Sequence, residues 1–355
     1  VFIIAPALNL AICWKFLIFI GQSARNLINL DLLEIFRDYT PQFIYCNELI
    51  IIKNLLNKNS NQDKRYYIHK ENKDIKEFNE NFSYYLAGLI EGDGTIIVPK
   101  TERSNKGRIN YPSIQIVFNS KDLPLALIIQ KNLGLGSISK TKGVNAYRLT
   151  INNYEGLIKL TKLLNGKFKT VKIYYFNELI KFLNNRFSNF NILPMELNQT
   201  PFYSNSWLSG FIDADGHFNV SLNKNSVSCR FELVQAIEDK RGNDKKDIMI
   251  KLAEYLNKQL KIISKSYCNS KDQYNINITN LESNLIISNY LLKYPLFSSK
   301  FLNFKDYYKV LILIKNKEHK SLIAKEQIYS IKNQMNNKRT IFTWDHLQNF
   351  YNLYK

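Results

Sequence analysis

The 355-residue chain is poor in the residue types that most often build metal and redox sites, with only four cysteines and four histidines. Cys13, Cys46, Cys229 and Cys268 form no CxxC pair, so zinc ribbons and redox motifs are unsupported and reduced thiols are expected. His69, His217, His319 and His346 form neither HxxxH nor HExxH, which argues against a zinc hydrolase and a histidine-based metal nuclease. Glycine (13) and proline (8) are scarce too. Together with heavy use of Lys, Asn, Ile, Tyr and Phe, this is what an AT-rich gene encodes, a hint of an organelle genome. Acids are outnumbered, 30 against 49 Lys and Arg, giving a formal charge of +19. Such an excess repels itself unless a polyanion neutralises it. The basic residues spread through the chain rather than beside one apolar segment, so nucleic acid is the expected partner over anionic lipid. A hydrophobic content of 45% and an aromatic content of 13% suffice for a folded core, in about two domains at this length.

The apolar stretch 2–20 approaches the length of a membrane span but is interrupted by Pro6, Asn9 and Lys15. With Val1 in place of Met, it suggests a fragment, or a reading frame continuous with an upstream segment that encodes a membrane protein. A buried or disordered N-terminus is the alternative, so membrane contact stays open. Residues 27–80 alternate short apolar runs with polar spacers and carry no readable chemistry.

What the chain does have is a duplication. Leu86-Ala87-Gly88-Leu89-Ile90-Glu91-Gly92-Asp93-Gly94 recurs as Leu208-Ser209-Gly210-Phe211-Ile212-Asp213-Ala214-Asp215-Gly216, each copy ending in an acid and a glycine. Two copies suggest two halves related by a pseudo-twofold axis, each contributing one acid. The surrounding patterns agree. After a motif helix over 82–93, the first series predicts strands at 95–98 and 113–118 around a charged turn (100–108). A helix at 123–133 ended by Gly134 follows, then strands at 136–140 and 146–151, and helices at 154–164 and 173–184. The second predicts a helix at 204–215, strands at 217–222 and 228–235, a helix at 247–260, strands at 262–267 and 273–278, and helices at 281–292 and 300–314. Both read αββαββα, an α+β protein. The divisions are an N-terminal extension (1–80), a first unit (81–186), a linker with Pro194 and Pro201 (187–203), a second unit (204–315) and a tail (316–355).

On a helix, Leu86, Ile90 and Asp93 share a stripe and Gly88 and Gly92 lie on an adjoining one. Small residues at that spacing, with Gly210 and Ala214 in the second copy, let two helix backbones approach closely. Side by side, the helices bring Asp93 and Asp215 together at their C-terminal ends. There the helix dipole and the facing carboxylate both disfavour a negative charge, by up to about 1 kcal/mol for the dipole alone. A divalent cation in the gap resolves the conflict. Mg²⁺ (or Mn²⁺) fits one or two carboxylates plus phosphate oxygens, with the carbonyls of Gly92 and Ala214 as further ligands. Metal-assisted phosphodiester hydrolysis is the implied reaction.

These residues resemble the LAGLIDADG family of homing endonucleases and intron maturases in its single-chain, two-motif form, over about residues 81–314. The resemblance implies a four-stranded antiparallel sheet in each half that saddles the DNA major groove, with the motif helices as the interface. It implies Asp93 and Asp215 as metal-binding catalytic acids, while Glu91 and Ser209 depart from the motif without touching them. A basic residue before the last helix of each half is implied at Lys172 (with Lys169 as an alternative) and Lys300, and a polar strand-end residue at Asn119 and Gln235. Base and phosphate contacts are expected from Lys100, Arg103, Lys106, Arg108, Lys140, Lys142 and Arg148 in the first half. In the second they are expected from Asn219, Ser221, Asn223, Lys224, Arg230, Lys265 and Lys271. The activity implied is site-specific cleavage of a long pseudo-palindromic duplex by a monomeric mitochondrial enzyme. An RNA maturase on the same fold is the rival, and a DNA-binding protein without catalysis is disfavoured by the presence of both acids.

Overall fold

In the computed structural model, residues 77–101, 103–224, 226–264 and 272–354 are described, and they belong to one compact unit spanning 75–355. The expectations for the apolar stretch 2–20, for residues 27–76 and for Lys265 and Lys271 lie outside the described residues. Among those described, no helix is long and apolar enough to cross a membrane.

The first motif lies in α1 (Glu80–Asp93), started by the Asn79 side chain, which accepts from Phe82 N at 3.2 Å. Every residue from Phe82 to Glu91 is buried, so this helix is a central one and not an amphipathic surface element. It runs into β1 (Gly94–Ile97), β2 (Ser113–Asn119), α2 (Leu123–Leu133), β3 (Ser137–Lys140), β4 (Ala146–Ile151), α3 (Tyr154–Leu164) and α4 (Ile173–Arg186). Gly134 stops α2 in the left-handed conformation (φ 70°), where a Cβ would be strained. The second half repeats the order as α5 (Trp207–Asp215), β5 (Gly216–Leu222), β6 (Val227–Ala236), α6 (Lys246–Tyr255), β7 (Lys261–Ile263), β8 (Gln273–Ile278), α7 (Leu281–Lys293) and α8 (Lys300–Lys315).

Both sheets are four-stranded and antiparallel, in the orders β1-β2-β4-β3 and β5-β6-β8-β7. Each buries one face, as the alternation in β4 and β6 records. Three elements depart from the sequence expectation. α5 begins at Trp207, not 204, because Asn205 is extended and its side chain caps Trp207 N at 3.0 Å. α6 ends at Tyr255, short of 260, and Asn257 turns left-handed just beyond it (φ 51°). β7 spans only three residues, and residues 265–271 beyond it are not among those described.

The tail returns across the molecule. After α9 (Leu322–Lys332), Asn336 Nδ2 donates to Phe218 O at 3.0 Å and Arg339 pairs with Asp306 at 2.5 Å. Phe350 packs edge-on against Phe82, Tyr85 and Phe297, and Asn79 N donates to Leu353 O at 3.0 Å. The tail therefore packs on the first motif helix and on Phe297 of the second half, a role without a sequence signal.

Candidate active site at the paired helix ends

α1 and α5 pack with backbone against backbone. A Cβ built at Gly88 would overlap the Trp207 carbonyl oxygen and lie 2.9 Å from Phe211 N. One at Gly210 would overlap the Tyr85 carbonyl oxygen and lie 2.8 Å from Leu89 N. Tyr85 and Trp207 each precede the motif leucine, so the two contacts are exchanged by the pseudo-twofold axis. At the lower end, a Cβ on Gly92 would overlap that of Ala214 and lie 2.9 Å from Asp215 Oδ2.

The same axis relates two buried acids that sequence reasoning passed over. Glu91 accepts from Lys169 N (3.0 Å), Thr170 N (2.5 Å) and, from the other half, Trp207 Nε1 (2.5 Å). Asp213 accepts from Phe297 N (2.7 Å), Ser298 N (3.2 Å) and, from the other half, Tyr85 Oη (2.7 Å). Each sixth-position acid thus ties its motif helix to the loop before the last helix of its own half and to an aromatic of the opposite half. Burial pushes both carboxyls up while these donors pull them down. The signal was in the sequence: an acid two residues before the last acid in both copies, and a donor-bearing aromatic immediately before each motif leucine, at Tyr85 and Trp207.

Below them, Asp93 opens to solvent at the cleft mouth and Asp215 is half-buried. Surrounding protein and the charge of Asp215 raise Asp93 to about 7, against the pull of Lys300 and Lys172. Burial also raises Asp215, opposed by Lys300 and by a hydrogen bond from Gln235. The helix-end conflict expected from sequence is partly offset within the protein. Lys172 Nζ donates to the carbonyls of Ile90 (2.8 Å), Gly94 (2.7 Å) and Gly92 (3.4 Å), and Lys300 Nζ to those of Ala214 (2.5 Å) and Ile212 (3.3 Å). Two ammonium groups therefore sit at the negative ends of the two dipoles. Their burial lowers both, Lys172 to about 8. Lys169, the alternative to Lys172, points away: its Nζ is held by Asn198 Oδ1 at 2.8 Å and by Thr200 O.

The strand-end pair differs from expectation. Gln235 Nε2 donates to Asp215 Oδ2 at 2.6 Å and Gln235 Oε1 accepts from Lys245 Nζ at 3.0 Å. Asn119 is not its counterpart. Gly94 pairs with Ile116 and Gly216 with Leu233, so the residue two further on is Phe118 in one half and Gln235 in the other. Phe118 and Gln235 lie opposite Tyr147 and Tyr274. Asn119 is exposed on the other sheet face, its Oδ1 accepting from Lys121 N at 3.3 Å. A strand flips its side chains every residue, so the one-residue offset turns the Asn119 amide to the other strand face, while the residue still lines the cleft at Asp93.

The candidate nucleic-acid contacts divide by location. Arg148, Asn219, Ser221 and Arg230 stand on the uncovered sheet faces. Lys100, Arg103, Lys106 and Arg108 are exposed on the β1–β2 loop, Lys140 and Lys142 at the β3–β4 turn, and Asn223 and Lys224 at the β5–β6 turn. The same faces carry Thr95, Gln115, His217, Glu232 and Asn277, which charge-based selection overlooked but strand alternation identifies.

Among the described residues no cluster of three or more His, Cys, Asp or Glu could hold a metal. The donors at the helix ends are two carboxylates and helix-terminal carbonyls, all oxygen, and this set suits a hard cation that completes its shell with water and phosphate.

A family model for the LAGLIDADG endonuclease matches residues 86–183 and 208–311. The chain is 30% identical over 332 residues to the intron-encoded DNA endonuclease aI3 of Saccharomyces cerevisiae, covering 81% of this chain and 79% of that protein. It is 33% identical over 200 residues to the intron-encoded RNA maturase bI4 of the same yeast, covering 56% of this chain and 27% of that protein. In fold it is similar to the I-LtrWI LAGLIDADG homing endonuclease bound to target DNA, at 20% identity and TM-score 0.55, over 73% of this chain and 99% of that one.

Proposed function

The chain belongs to the LAGLIDADG endonuclease family, and from that premise we infer that it is a site-specific intron-homing DNA endonuclease. It acts as a monomer with internal pseudo-twofold symmetry and hydrolyses one phosphodiester in each strand of a long, pseudo-palindromic duplex. The observation that carries this reading is the pair Asp93 and Asp215 at abutting helix ends, between two sheets with basic loops, in a chain of charge +19.

The enzyme is metal-dependent, and Mg²⁺ or Mn²⁺ is the cation its oxygen donors suit, held by Asp93 and Asp215 with the carbonyls of Gly92 and Ala214. When bound, such a cation supplies Lewis-acid polarisation of the phosphodiester and a more acidic water. The protein's own groups do the rest. Lys172 and Lys300 present positive charge where the phosphate gains negative charge, and Gln235 fixes the rotamer of Asp215. Arg148, Arg230 and the loop lysines and arginines hold the duplex, with Asn219 and Ser221 toward base edges. We assign it to the mitochondrion, in line with its AT-type composition and its intron-encoded relatives.

The test is cleavage of a plasmid carrying the joined exons that flank the host intron, by the full chain with Mg²⁺. Asp93→Asn or Asp215→Asn abolishes cleavage and leaves binding in place. The similarity to an RNA maturase favours a second reading. Tight binding of intron RNA with no nick in that plasmid would decide for it.

A further inference from the structure

The pseudo-twofold axis that relates the motif helices also relates two segments of different connectivity, the linker and the tail. The linker runs from α4 to α5. On its way Asn198 N donates to Phe168 O at 2.7 Å in the loop ahead of α4, Phe202 packs on Trp207 with ring centroids 5.9 Å apart, and the Asn205 side chain accepts from Trp207 N at 3.0 Å. The tail leaves α8 and takes the matching path. His346 Nε2 donates to Phe297 O at 3.2 Å in the loop ahead of α8, Phe350 packs on Tyr85 at 5.8 Å, and Leu353 O accepts at 3.0 Å from the backbone N of Asn79, which starts α1. The spacing is the same in both, Asn198, Phe202 and Asn205 against His346, Phe350 and Leu353. The aromatics meet axis-related partners: Tyr85 matches Trp207, and Phe297, 4.7 Å from the Phe350 ring, matches Lys169, whose Nζ lies 5.5 Å from the Phe202 ring. His346 also stacks on Phe301 at 4.3 Å. One buried ring thus grips the two residues that flank Ser298, Ser299 and Lys300.

We propose that residues 340–354 are a strap that serves the second half as the linker serves the first, with His346 and Phe350 as the positioning residues that hold Lys300 against the end of α5. The loop they cover donates Phe297 N and Ser298 N to Asp213, and Lys300 Nζ donates to Ala214 O, so a shift of this loop moves the ammonium away from the helix end. A hydrogen bond and aromatic contacts settle the loop before substrate arrives, and a group already in place needs no ordering at each turnover. The linker is tied at both ends by helices. The strap is tied by α8 at one end and at the other by the noncovalent contacts of Leu353 with Asn79 and of Tyr354 with Phe78. Its seating is therefore a local equilibrium that a single side chain can shift. The effect on cleavage rests on the endonuclease reading, whereas the strap itself is a matter of packing.

The experiment combines amide hydrogen exchange with single-turnover cleavage of the joined-exon duplex in Mg²⁺, on the full chain and its variants. His346→Ala and Phe350→Ala should speed exchange at residues 297–300 and leave residues 169–172 unchanged, because the linker still covers that loop. Asn198→Ala, which loses its contacts with Gly166 O and Lys169 Nζ, should do the reverse. In the two tail variants the cleavage rate should fall about ten- to a hundredfold, as for a displaced group in a reacting site, while the duplex dissociation constant stays within about twofold. His346→Gln keeps an N–H in the place of Nε2 and should retain most of the rate. If Phe350→Ala fails to fold, the two His346 variants decide alone. Exchange unchanged at 297–300, or raised alike in both loops, overturns the strap. Faster exchange there with an unaltered cleavage rate overturns the positioning of Lys300. If the natural protein leaves the duplex uncut, the endonuclease reading falls, and the exchange comparison still decides the strap.

Discussion

Replacing Gly88 with alanine tests the packing on which the paired acids depend. The added methyl would overlap the Trp207 carbonyl oxygen and lie 2.9 Å from Phe211 N, both backbone atoms that cannot rotate away. Ordinary carbon contacts need about 3.5 Å, so α1 and α5 must part by roughly 1.5 Å at this level. Overpacking of a well-fitted core costs about 1–3 kcal/mol, and rigid backbone neighbours put this case toward the upper end. Alanine returns up to about 1 kcal/mol through its higher helix propensity. The expected net loss is about 2 kcal/mol, measured as a lower urea midpoint with unchanged slope. Gly210→Ala should behave alike, since its methyl meets Tyr85 O and Leu89 N. Because one separation admits both methyls, the double variant should lose clearly less than the sum of the singles. Parting the helices also spreads Asp93 and Asp215, so cleavage should fall more than duplex binding. A Gly88→Ala protein as stable as the natural one, or strictly additive losses, would refute the close-packing argument.

Two further outcomes follow from the buried charges. Glu91→Ala leaves Lys169 N, Thr170 N and Trp207 Nε1 without their acceptor, and should cost about 3–5 kcal/mol in urea unfolding. Glu91→Gln keeps part of the network and should cost clearly less, and equal losses would contradict the assigned contacts. Stability of the metal-free protein in EDTA should fall as pH rises from about 4 to 7. Folding raises Asp93 from 3.8 to about 7, so its contribution is full below the unfolded value and lost through the folded one. The slope from this group stays below the ideal of about 1.4 kcal/mol per pH unit because Asp93 faces screening solvent. Asp93→Asn should flatten the profile, and an identical profile in the variant would show that Asp93 does not titrate there.

Much of the architecture was legible because it is written in local periodicity. The helix at 123–133 ends at Gly134 as read, since only glycine takes that left-handed cap without strain, and the β4 and β8 alternations fix their strands closely. The motif stripe also identified the glycine faces and the paired acids. The misreadings share one cause, which is that they turn on pairing between distant segments. Asn119 looked equivalent to Gln235 by its place near a strand end, but the register set by Gly94 and Gly216 puts Phe118 there. The sequence places Lys172 and Lys300 near the phosphate, and the structure adds that they cap the motif helices, a contact across about eighty residues of sequence.

The sequence by itself determined the two-half plan, the pairing of Asp93 with Asp215 and the net positive charge, because composition and short-range spacing encode these directly. Only the tertiary structure decided which side chains surround each acid. The two halves share a backbone plan and an equivalent strand register, and that register is what puts Phe118 in one half where Gln235 stands in the other. The swap of Tyr85 and Trp207 onto Asp213 and Glu91, and the return of the tail over Phe82 and Phe297, exist only once the halves are packed.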